Sequence, residues 1–243
     1  MPKPVAVFGA TGGFGGAIAR RLAADGHSLV LQGRNRNRLD SLGDDLSVAA
    51  ADRLVLDGAD EAAVAAAFAD LAARHGTLSG VVVSLAGPFP AKLTHRQPWS
   101  AFESQMNTQL KALHFIAVHA RPLLAAAEET SRLIVISSEV AIQTPPLKWA
   151  PYSAAKAAMT AYAQTIAQEW LRDGVRVHIL APGMAKTDLI SDMPDEFLDQ
   201  IAAGMPEKTL TRVEDVADMA AFCMTDAADT LYGAPIRVSR AAR

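Results

Sequence analysis

Cysteine is nearly absent from this sequence: Cys223 is the single one among 243 residues. One cysteine cannot form an internal disulfide, and its place in an apolar helical pattern predicts a reduced, buried side chain. No uninterrupted apolar run approaches the roughly 20 residues of a membrane span. The apolar stretch before the first glycine cluster is too short for a signal peptide. Together these features predict a soluble cytoplasmic protein.

An excess of charge of either sign is also missing, since 26 acidic residues face 23 basic ones. That balance predicts no nucleic-acid or membrane partner. The histidines lack the spacing of a metal site. His114 and His119 are five positions apart and would lie about 140° apart around a helix, so they cannot share a ligand face.

Internal repeats, low-complexity tracts and linkers are absent, and strand and helix patterns alternate along the whole chain. This alternation predicts one doubly wound Rossmann-type α/β domain over residues 1–243, with a mostly parallel seven-stranded sheet and helices on both faces. The predicted strands are 5–8, 28–32, 53–56, 80–85, 132–137, 175–180 and 235–239. The predicted helices are 13–25, 35–46, 60–75, 99–127, 151–173 and 213–225.

Three connections, 87–98, 139–150 and 183–206, are predicted to select the substrate, and the last should hold a short helix near 194–203. Their apolar residues predict a moderately apolar small molecule as substrate: Phe89, Leu147, Trp149, Met184, Leu189 and Met193. Their basic residues would either recruit an anionic group or be ordinary surface charges: His95, Arg96 and Lys148.

A glycine-rich turn follows the first strand, with Gly9, Gly13 and Gly15 in a G-x3-G-x-G pattern. Glycines let a turn adopt unusual backbone angles and approach a ligand closely. The helix that begins here would direct its free N–H groups at a pyrophosphate. The alternative is a tight turn without a ligand.

The second predicted strand ends without the acidic residue that commonly holds the adenosine ribose of NAD. Gly33 leaves room there, and Arg34 supplies a cation, with Arg36 and Arg38 close behind. This pattern favours NADP(H) over NAD(H), with Arg34 on the 2′-phosphate. The alternative is a solvated basic loop.

Tyr152 and Lys156 are one helical turn apart, so their side chains should be neighbours on one face. A nearby cation lowers the pKa of a phenol, which is about 10 in a free tyrosine. The pair is therefore either a tuned proton donor or an ordinary surface contact.

In their order along the chain, these motifs resemble those of the short-chain dehydrogenase/reductase family, in particular its single-domain branch with the 3-oxoacyl-carrier-protein reductases. The resemblance covers nearly the whole chain. It also rests on Asp57, Ala86-Gly87, Asn107, Ser138 and Pro182-Gly183. It implies an oxidoreductase that interconverts a carbonyl and a secondary alcohol.

The resemblance implies a catalytic role for four residues. Tyr152 would be the general acid, and Lys156 would lower its pKa and grip the nicotinamide ribose. Ser138, rather than Ser137, would bind the substrate oxygen, and Asn107 would relay protons from Lys156 through a carbonyl or water. The implied cofactor contacts are Gly9, Thr11, Gly13, Phe14, Gly15, Arg34, Asp57, Ala86, Gly87, Tyr152, Lys156, Pro182, Gly183 and Thr187.

Several positions depart from the family pattern. Phe8 stands for a threonine, while Ser84 and Leu85 stand for two asparagines, and these changes predict looser hydrogen bonding in the central strands. Ser138 and Tyr152 are one position further apart than expected. The C-terminus, IRVSRAAR, lacks the usual aspartate and glycines, which puts the usual C-terminal subunit contact in doubt.

Two rival functions remain from the sequence. One is a non-catalytic NADP-binding sensor or scaffold on the same fold, and the other is a nucleotide-sugar epimerase, which normally needs a larger C-terminal region. The alanine-rich predicted helices 99–127 and 151–173 permit close packing between subunits, so a homodimer or homotetramer is expected.

Overall fold

Seven parallel strands form one sheet at the centre of the molecule. The computed structural model describes residues 3–88, 90–191 and 193–240, apart from the side chain of Phe197. The strand order is β3-β2-β1-β4-β5-β6-β7, and each neighbouring pair is parallel. The strands are β1 (Val5–Phe8), β2 (Leu29–Gly33), β3 (Arg53–Val55), β4 (Gly80–Val83), β5 (Ser131–Ile136), β6 (Val175–Pro182) and β7 (Pro235–Val238). The predicted Rossmann-type fold class is confirmed.

Helices cover both faces of this sheet. The helices of the described residues are α1 (Gly13–Ala24), α2 (Arg36–Asp45), α3 (Glu61–His75), α4 (Trp99–Met106), α5 (Ala112–Ala125), α6 (Ala150–Trp170), α7 (Asp195–Gly204) and α8 (Val213–Cys223). Because alternate residues of a strand point to opposite faces, β1 divides its side chains between two apolar cores. Val5 and Val7 pack with α1, α2 and α8, whereas Ala6 and Phe8 pack with α3, α5 and α6.

The long helix predicted for 99–127 is interrupted. α4 and α5 are separated by a π-helical turn, Asn107–Lys111, and α5 ends at Ala125. Single π turns inside helices are frequent at functional sites, since they re-aim the side chains of one turn. The apolar pattern of 99–127 predicts one continuous helix and does not reveal this turn.

The central strands keep their hydrogen bonds, so the predicted loosening at Phe8 and Ser84 is wrong. Phe8 pairs with Val83 across β1 and β4, and the Ser84 N–H donates to the Phe8 carbonyl over 2.9 Å. The Phe8 ring is fully buried and stacks on Phe68 of α3, with ring centroids 5.6 Å apart. Backbone groups alone make these strand contacts, so the side-chain changes leave them intact.

The segment 183–206 folds against itself as well as against the sheet. It contains the predicted short helix, seen as α7. Ile190, Leu198 and Leu210 form a small buried cluster of their own, and Met184 and Met193 pack on it. Leu189 packs on it as well, so three of the side chains predicted to contact substrate help to hold this segment together. Phe89, another predicted substrate contact, lies outside the described residues.

Cys223 is buried and free, as predicted. Within residues 3–88, 90–191 and 193–240, none of the helices combines the length and the apolar character that a membrane crossing needs.

His178 on β6 is a fully buried histidine whose two ring nitrogens have no hydrogen-bond partner among the described residues. Burial lowers its pKa to about 4, and the nearby Arg132 and Arg176 act in the same direction against Asp229. An unfolded histidine binds its proton near pH 6.5, so between about pH 6.5 and 4 the unfolded state takes up a proton that the folded state refuses. Stability should therefore fall as the pH falls through this window.

Replacing His178 with leucine should remove that pH dependence. We expect the wild type to lose up to about 3 kcal/mol of unfolding free energy from this group between neutral pH and pH 4, and His178→Leu to lose correspondingly less. Urea unfolding at a series of pH values measures the difference. The exposed His95 offers a matched control, His95→Gln. Parallel pH curves for wild type and His178→Leu would contradict the assignment.

Candidate active site

A cleft of about 340 Å³ lies at the carboxyl ends of the central strands. Open parallel sheets bind ligands at this edge, where the strand order reverses. Here the strand order reverses between β1 and β4, which are neighbours in the sheet. The lining residues are Gly9, Thr11, Gly12, Gly13, Phe14, Gln32, Gly33, Arg34, Arg38, Asp57, Gly58, Ser84, Leu85, Ala86, Gly87, Pro88, Thr108, Ala112, Ile136, Ser137, Tyr152, Lys156, Thr187, Asp188 and Leu189.

The glycine turn between β1 and α1 forms one wall of the cleft. Gly9 has φ +81°, a left-handed conformation that favours glycine, and a side chain there would run into the Ser84 carbonyl. A side chain at Gly15 would strike the Gly9 carbonyl, so this glycine permits the turn to close on itself. Gly15 is accordingly buried behind the turn and does not line the cleft.

The first turn of α1 is open toward the cleft. Its N-cap, Gly12, has no side-chain cap, and no acidic residue lies in the first turn. Free N–H groups and the positive end of the helix dipole favour an anionic ligand at such a terminus.

Gln32 braces the glycine turn from β2, a role that the sequence did not reveal. Its side-chain oxygen accepts a hydrogen bond from the Gly9 N–H (2.9 Å), and its amide nitrogen donates to the Leu56 carbonyl (2.7 Å). The side chain is 2 % exposed. It thus ties the ends of β1, β2 and β3 together beneath the site.

The reason for glycine at position 33 differs from the prediction. Gly33 leaves no room for a ligand, because the Thr11 methyl group occupies the space: a Cβ at position 33 would lie 2.7 Å from it and 3.0 Å from the Thr11 hydroxyl. The glycine allows the end of β2 to pack against the glycine turn.

If Thr11 occupies this space, shortening its side chain should restore the stability that a larger residue at position 33 removes. Gly33→Ala should lower stability by about 1–3 kcal/mol, the usual effect of overpacking a tight site. Thr11→Ala removes both clashing atoms, leaving the Thr11 Cβ at 3.5 Å, so the double variant should recover most of the loss. Thermal unfolding of the two single variants and the double variant measures this coupling. Additive effects would show that the two residues do not compete for this space.

Two arginines line the end of the cleft next to β2. Arg34 is exposed and makes no hydrogen bond or ion pair with any described residue. Arg38 is ion-paired over 2.6 Å with Asp188, which follows β6 on the opposite wall. Arg34 is therefore the cation that is available to a bound phosphate.

Tyr152 and Lys156 lie on the buried face of α6, at the other end of the cleft. They are 6 % and 2 % exposed, so the surface-pair interpretation is wrong. The Lys156 ammonium lies 5.8 Å from the centre of the Tyr152 ring. It donates to the carbonyl oxygens of Ile136 (2.8 Å) and Leu85 (3.3 Å), which anchor it between β5 and β4.

The expected lowering of the Tyr152 pKa is also wrong for the protein alone. Burial raises the pKa of the Tyr152 phenol to about 12, and a hydrogen bond with Ser138 opposes this only in part. Burial likewise lowers the pKa of Lys156 to about 7. Desolvation disfavours the charged form of each group, which is the phenolate of Tyr152 and the ammonium of Lys156. Tyr152 therefore holds its proton at neutral pH.

The two serines at the end of β5 make different contacts, and Ser137, not the predicted Ser138, lines the cleft. Ser138 makes the hydrogen bond to Tyr152. Ser137 instead bonds the Thr160 hydroxyl over 2.5 Å, and Thr160 donates to the Lys156 carbonyl. Ser138 thus reaches the phenol while Ser137 secures α6. Trp149 packs edge-on against the Tyr152 ring from the loop before α6, with centroids 5.8 Å apart.

The structure does not bring Asn107 to the cleft. Its side chain is exposed and does not line the cavity, whereas its neighbour Thr108 does. Gln105 and Gln109 on the same helix are buried. Asn107, two positions from each, is the exposed residue between them.

Most predicted cofactor contacts line the cleft, and three do not. The residues that line it are Gly9, Thr11, Gly13, Phe14, Arg34, Asp57, Ala86, Gly87, Tyr152, Lys156 and Thr187. Gly15, Pro182 and Gly183 lie behind it; a side chain at Gly183 would meet Ser239 and Thr211. Asp57 accepts a hydrogen bond from the Ala59 N–H, whereas the N-cap of α3 is Asp60.

These observations fit a nucleotide cofactor and give no sign of a metal centre. The open α1 terminus suits a pyrophosphate, and the unpaired Arg34 suits a further phosphate. Among the residues that the structure describes, no three histidine, cysteine, aspartate or glutamate side chains come together as metal ligands. The fold is Rossmann-type, and the cleft lies where proteins of this fold bind dinucleotides.

Comparison with known proteins narrows this class. The family model described as enoyl-(acyl carrier protein) reductase matches residues 9–240. The cis-4-hydroxycyclohexanecarboxylate dehydrogenase of Sinomonas cyclohexanicum is 31 % identical over 234 residues, covering 96 % of this chain and 93 % of the relative. The 3-oxoacyl-[acyl-carrier-protein] reductase of Rickettsia bellii is 29 % identical, with the same coverage.

A solved structure shares the fold. YwfH, described as an NADPH dependent reductase involved in bacilysin biosynthesis, superposes with a TM-score of 0.89 at 22 % identity, covering 100 % of this chain and 99 % of YwfH. The chain belongs to the short-chain dehydrogenase/reductase family of oxidoreductases.

Proposed function

We propose that this protein is an NADP(H)-dependent oxidoreductase that interconverts a carbonyl group and a secondary alcohol, with Tyr152 as the proton donor. The observation that carries the proposal is the buried phenol of Tyr152 in the wall of a cleft whose other end is a glycine turn. The names of the relatives, a dehydrogenase and a 3-oxoacyl reductase, support the reaction class.

The cofactor preference rests on Arg34. It is an exposed cation at the end of β2 without a partner among the described residues, in a position where NAD-binding sites commonly place an acid. A bidentate arginine suits a phosphate monoester. The description of YwfH as NADPH dependent is consistent with this choice.

The chemistry assigned to the side chains follows from their protonation. When bound, the reduced nicotinamide supplies the hydride. Tyr152, which keeps its proton at neutral pH, donates it to the carbonyl oxygen. Ser138 can hydrogen-bond the same oxygen, because it already bonds the phenol. Lys156 stabilises the phenolate that is left and is itself fixed by the Ile136 and Leu85 carbonyls.

The substrate is proposed to be a moderately apolar small molecule. Leu189 lines the cleft, and Trp149 packs beside the phenol.

We also propose a homodimer or homotetramer assembled through α4–α6, where Trp99 is 70 % and Val118 48 % exposed. Light scattering that gave a monomer mass would exclude such an assembly.

A ketone panel tests the function. NADPH oxidation should be detected with at least one apolar ketone, and Tyr152→Phe should remove it. NADPH binding without turnover of any ketone or alcohol would favour the sensor or scaffold instead.

A further inference from the structure

Two buried glutamines stand behind one wall of the cleft. Gln105 on α4 is 1 % exposed and Gln109 in the π turn is 0 % exposed. The Gln105 amide nitrogen donates to the carbonyls of Gly87 (3.2 Å) and Pro88 (3.0 Å), both of which line the cleft. The Gln109 amide nitrogen donates to the Gln105 side-chain oxygen over 2.6 Å.

The orientation of both amides is fixed by these backbone carbonyls. A carbonyl only accepts, so Gln105 must turn its NH₂ group toward Gly87 and Pro88 and its oxygen toward Gln109. That oxygen in turn requires the NH₂ group of Gln109. The bonds therefore run in one direction, from the π turn to the cleft wall.

This direction leaves the Gln109 side-chain oxygen buried and without a partner among the described residues. An unpaired buried carbonyl oxygen lowers stability, so its presence calls for an explanation other than a gain in stability. A pair kept only for stability would gain by satisfying this atom. The π turn, which places Gln109, is itself a feature frequent at functional sites.

We propose that Gln105 and Gln109 are positioning residues that hold the Gly87–Pro88 backbone where it walls the dinucleotide cleft. The inference rests on the proposed function, because it assumes that the wall contacts a bound dinucleotide. The neighbouring carbonyl on the same segment, that of Leu85, is held by Lys156. Two buried donors thus fix the wall from behind, one on α6 and the other on α4.

Methionine is a near-isosteric apolar replacement that tests this role. Gln109→Met leaves the Gln105 oxygen unpaired and frees that amide to turn away from the wall. We expect NADPH, titrated by its fluorescence, to bind at least tenfold more weakly, and backbone amides of residues 85–98 to exchange hydrogen for deuterium faster. Gln168→Met, an exposed change on α6, should alter neither.

The double variant Gln105→Met/Gln109→Met separates positioning from core support. Removing both amides eliminates the unpaired side-chain groups, so its melting temperature should recover toward the wild type relative to Gln109→Met. NADPH binding should stay at least tenfold weakened, since nothing then holds the wall. If binding recovers together with the melting temperature, the pair only supports the core.

Gln109→Asn covers the case in which the methionine variant fails to fold. It keeps an amide but is one methylene too short to reach Gln105, and it should weaken NADPH binding in the same way. Binding within twofold of the wild type would overturn the proposal. If the wild type bound neither NADPH nor NADH, the proposed function would fail. Hydrogen–deuterium exchange of the backbone amides of residues 85–98 would still test whether Gln105 and Gln109 hold the Gly87–Pro88 backbone in place.

Discussion

Tyr152→Phe should lower kcat for carbonyl reduction by about 10²–10⁴-fold, the usual contribution of a positioned general acid. The change removes one oxygen atom and keeps the ring that packs against Trp149. The affinity for NADPH should therefore stay within about threefold of the wild type. Steady-state kinetics with the best ketone of the panel, together with fluorescence titration of NADPH, measures both quantities.

Tyr162 offers a matched control on the same helix. Its hydroxyl bonds His114 over 3.0 Å, and it does not line the cleft. Tyr162→Phe should leave kcat nearly unchanged.

Because burial raises the pKa of Tyr152 to about 12, the phenol should stay protonated through the neutral and mildly alkaline range. A Tyr152→Phe enzyme that turned over within tenfold of the wild type would remove Tyr152 from the mechanism.

Arg34→Ala should weaken NADPH binding by about 10–100-fold, since a hydrogen bond to a charged group contributes about 1.5–3 kcal/mol and 1.4 kcal/mol is a factor of ten. NADH lacks the 2′-phosphate, so its affinity should barely change. Titration with both nucleotides at two salt concentrations measures the effect, and the loss should be smaller at high salt because the site is exposed.

Arg36 is the matched control for this charge. It is exposed, lies 3.9 Å from Asp40 and does not line the cleft. Arg36→Ala removes the same charge two residues further along the chain, at the start of α2, and should leave the preference for NADPH intact. A wild type that prefers NADH, or equal losses for both nucleotides in Arg34→Ala, would show that Arg34 does not read the phosphate.

Several features of the fold could be predicted from the sequence because they depend on local patterns of residues. Strand and helix periodicity predicted the seven strands and the doubly wound class, and the boundaries mostly agree within one or two residues. The spacing of Tyr152 and Lys156 predicted neighbours on one helix face, which the structure shows. The interruption of the predicted helix at 107–111 was not predicted from the sequence, where 99–127 was assigned to one continuous helix.

Contacts between segments distant in the chain could not be predicted from the sequence. Gln32 had no motif to mark it as the brace of the glycine turn, and Asp188 had none to mark it as the partner of Arg38. Asn107 fitted the family order but lies on the outer side of its helix, while Gln109 lies inside. The two residues are only two positions apart, and packing against the rest of the protein decides which of them is buried.

The sequence by itself determined the alternation of elements, the glycine turn and the pairing of phenol with amine, since each depends on residues close together in the chain. The tertiary structure decided how buried each group is and what faces it. It set the pKa directions of Tyr152 and Lys156, because desolvation is a property of the surrounding packing and not of the spacing between two residues.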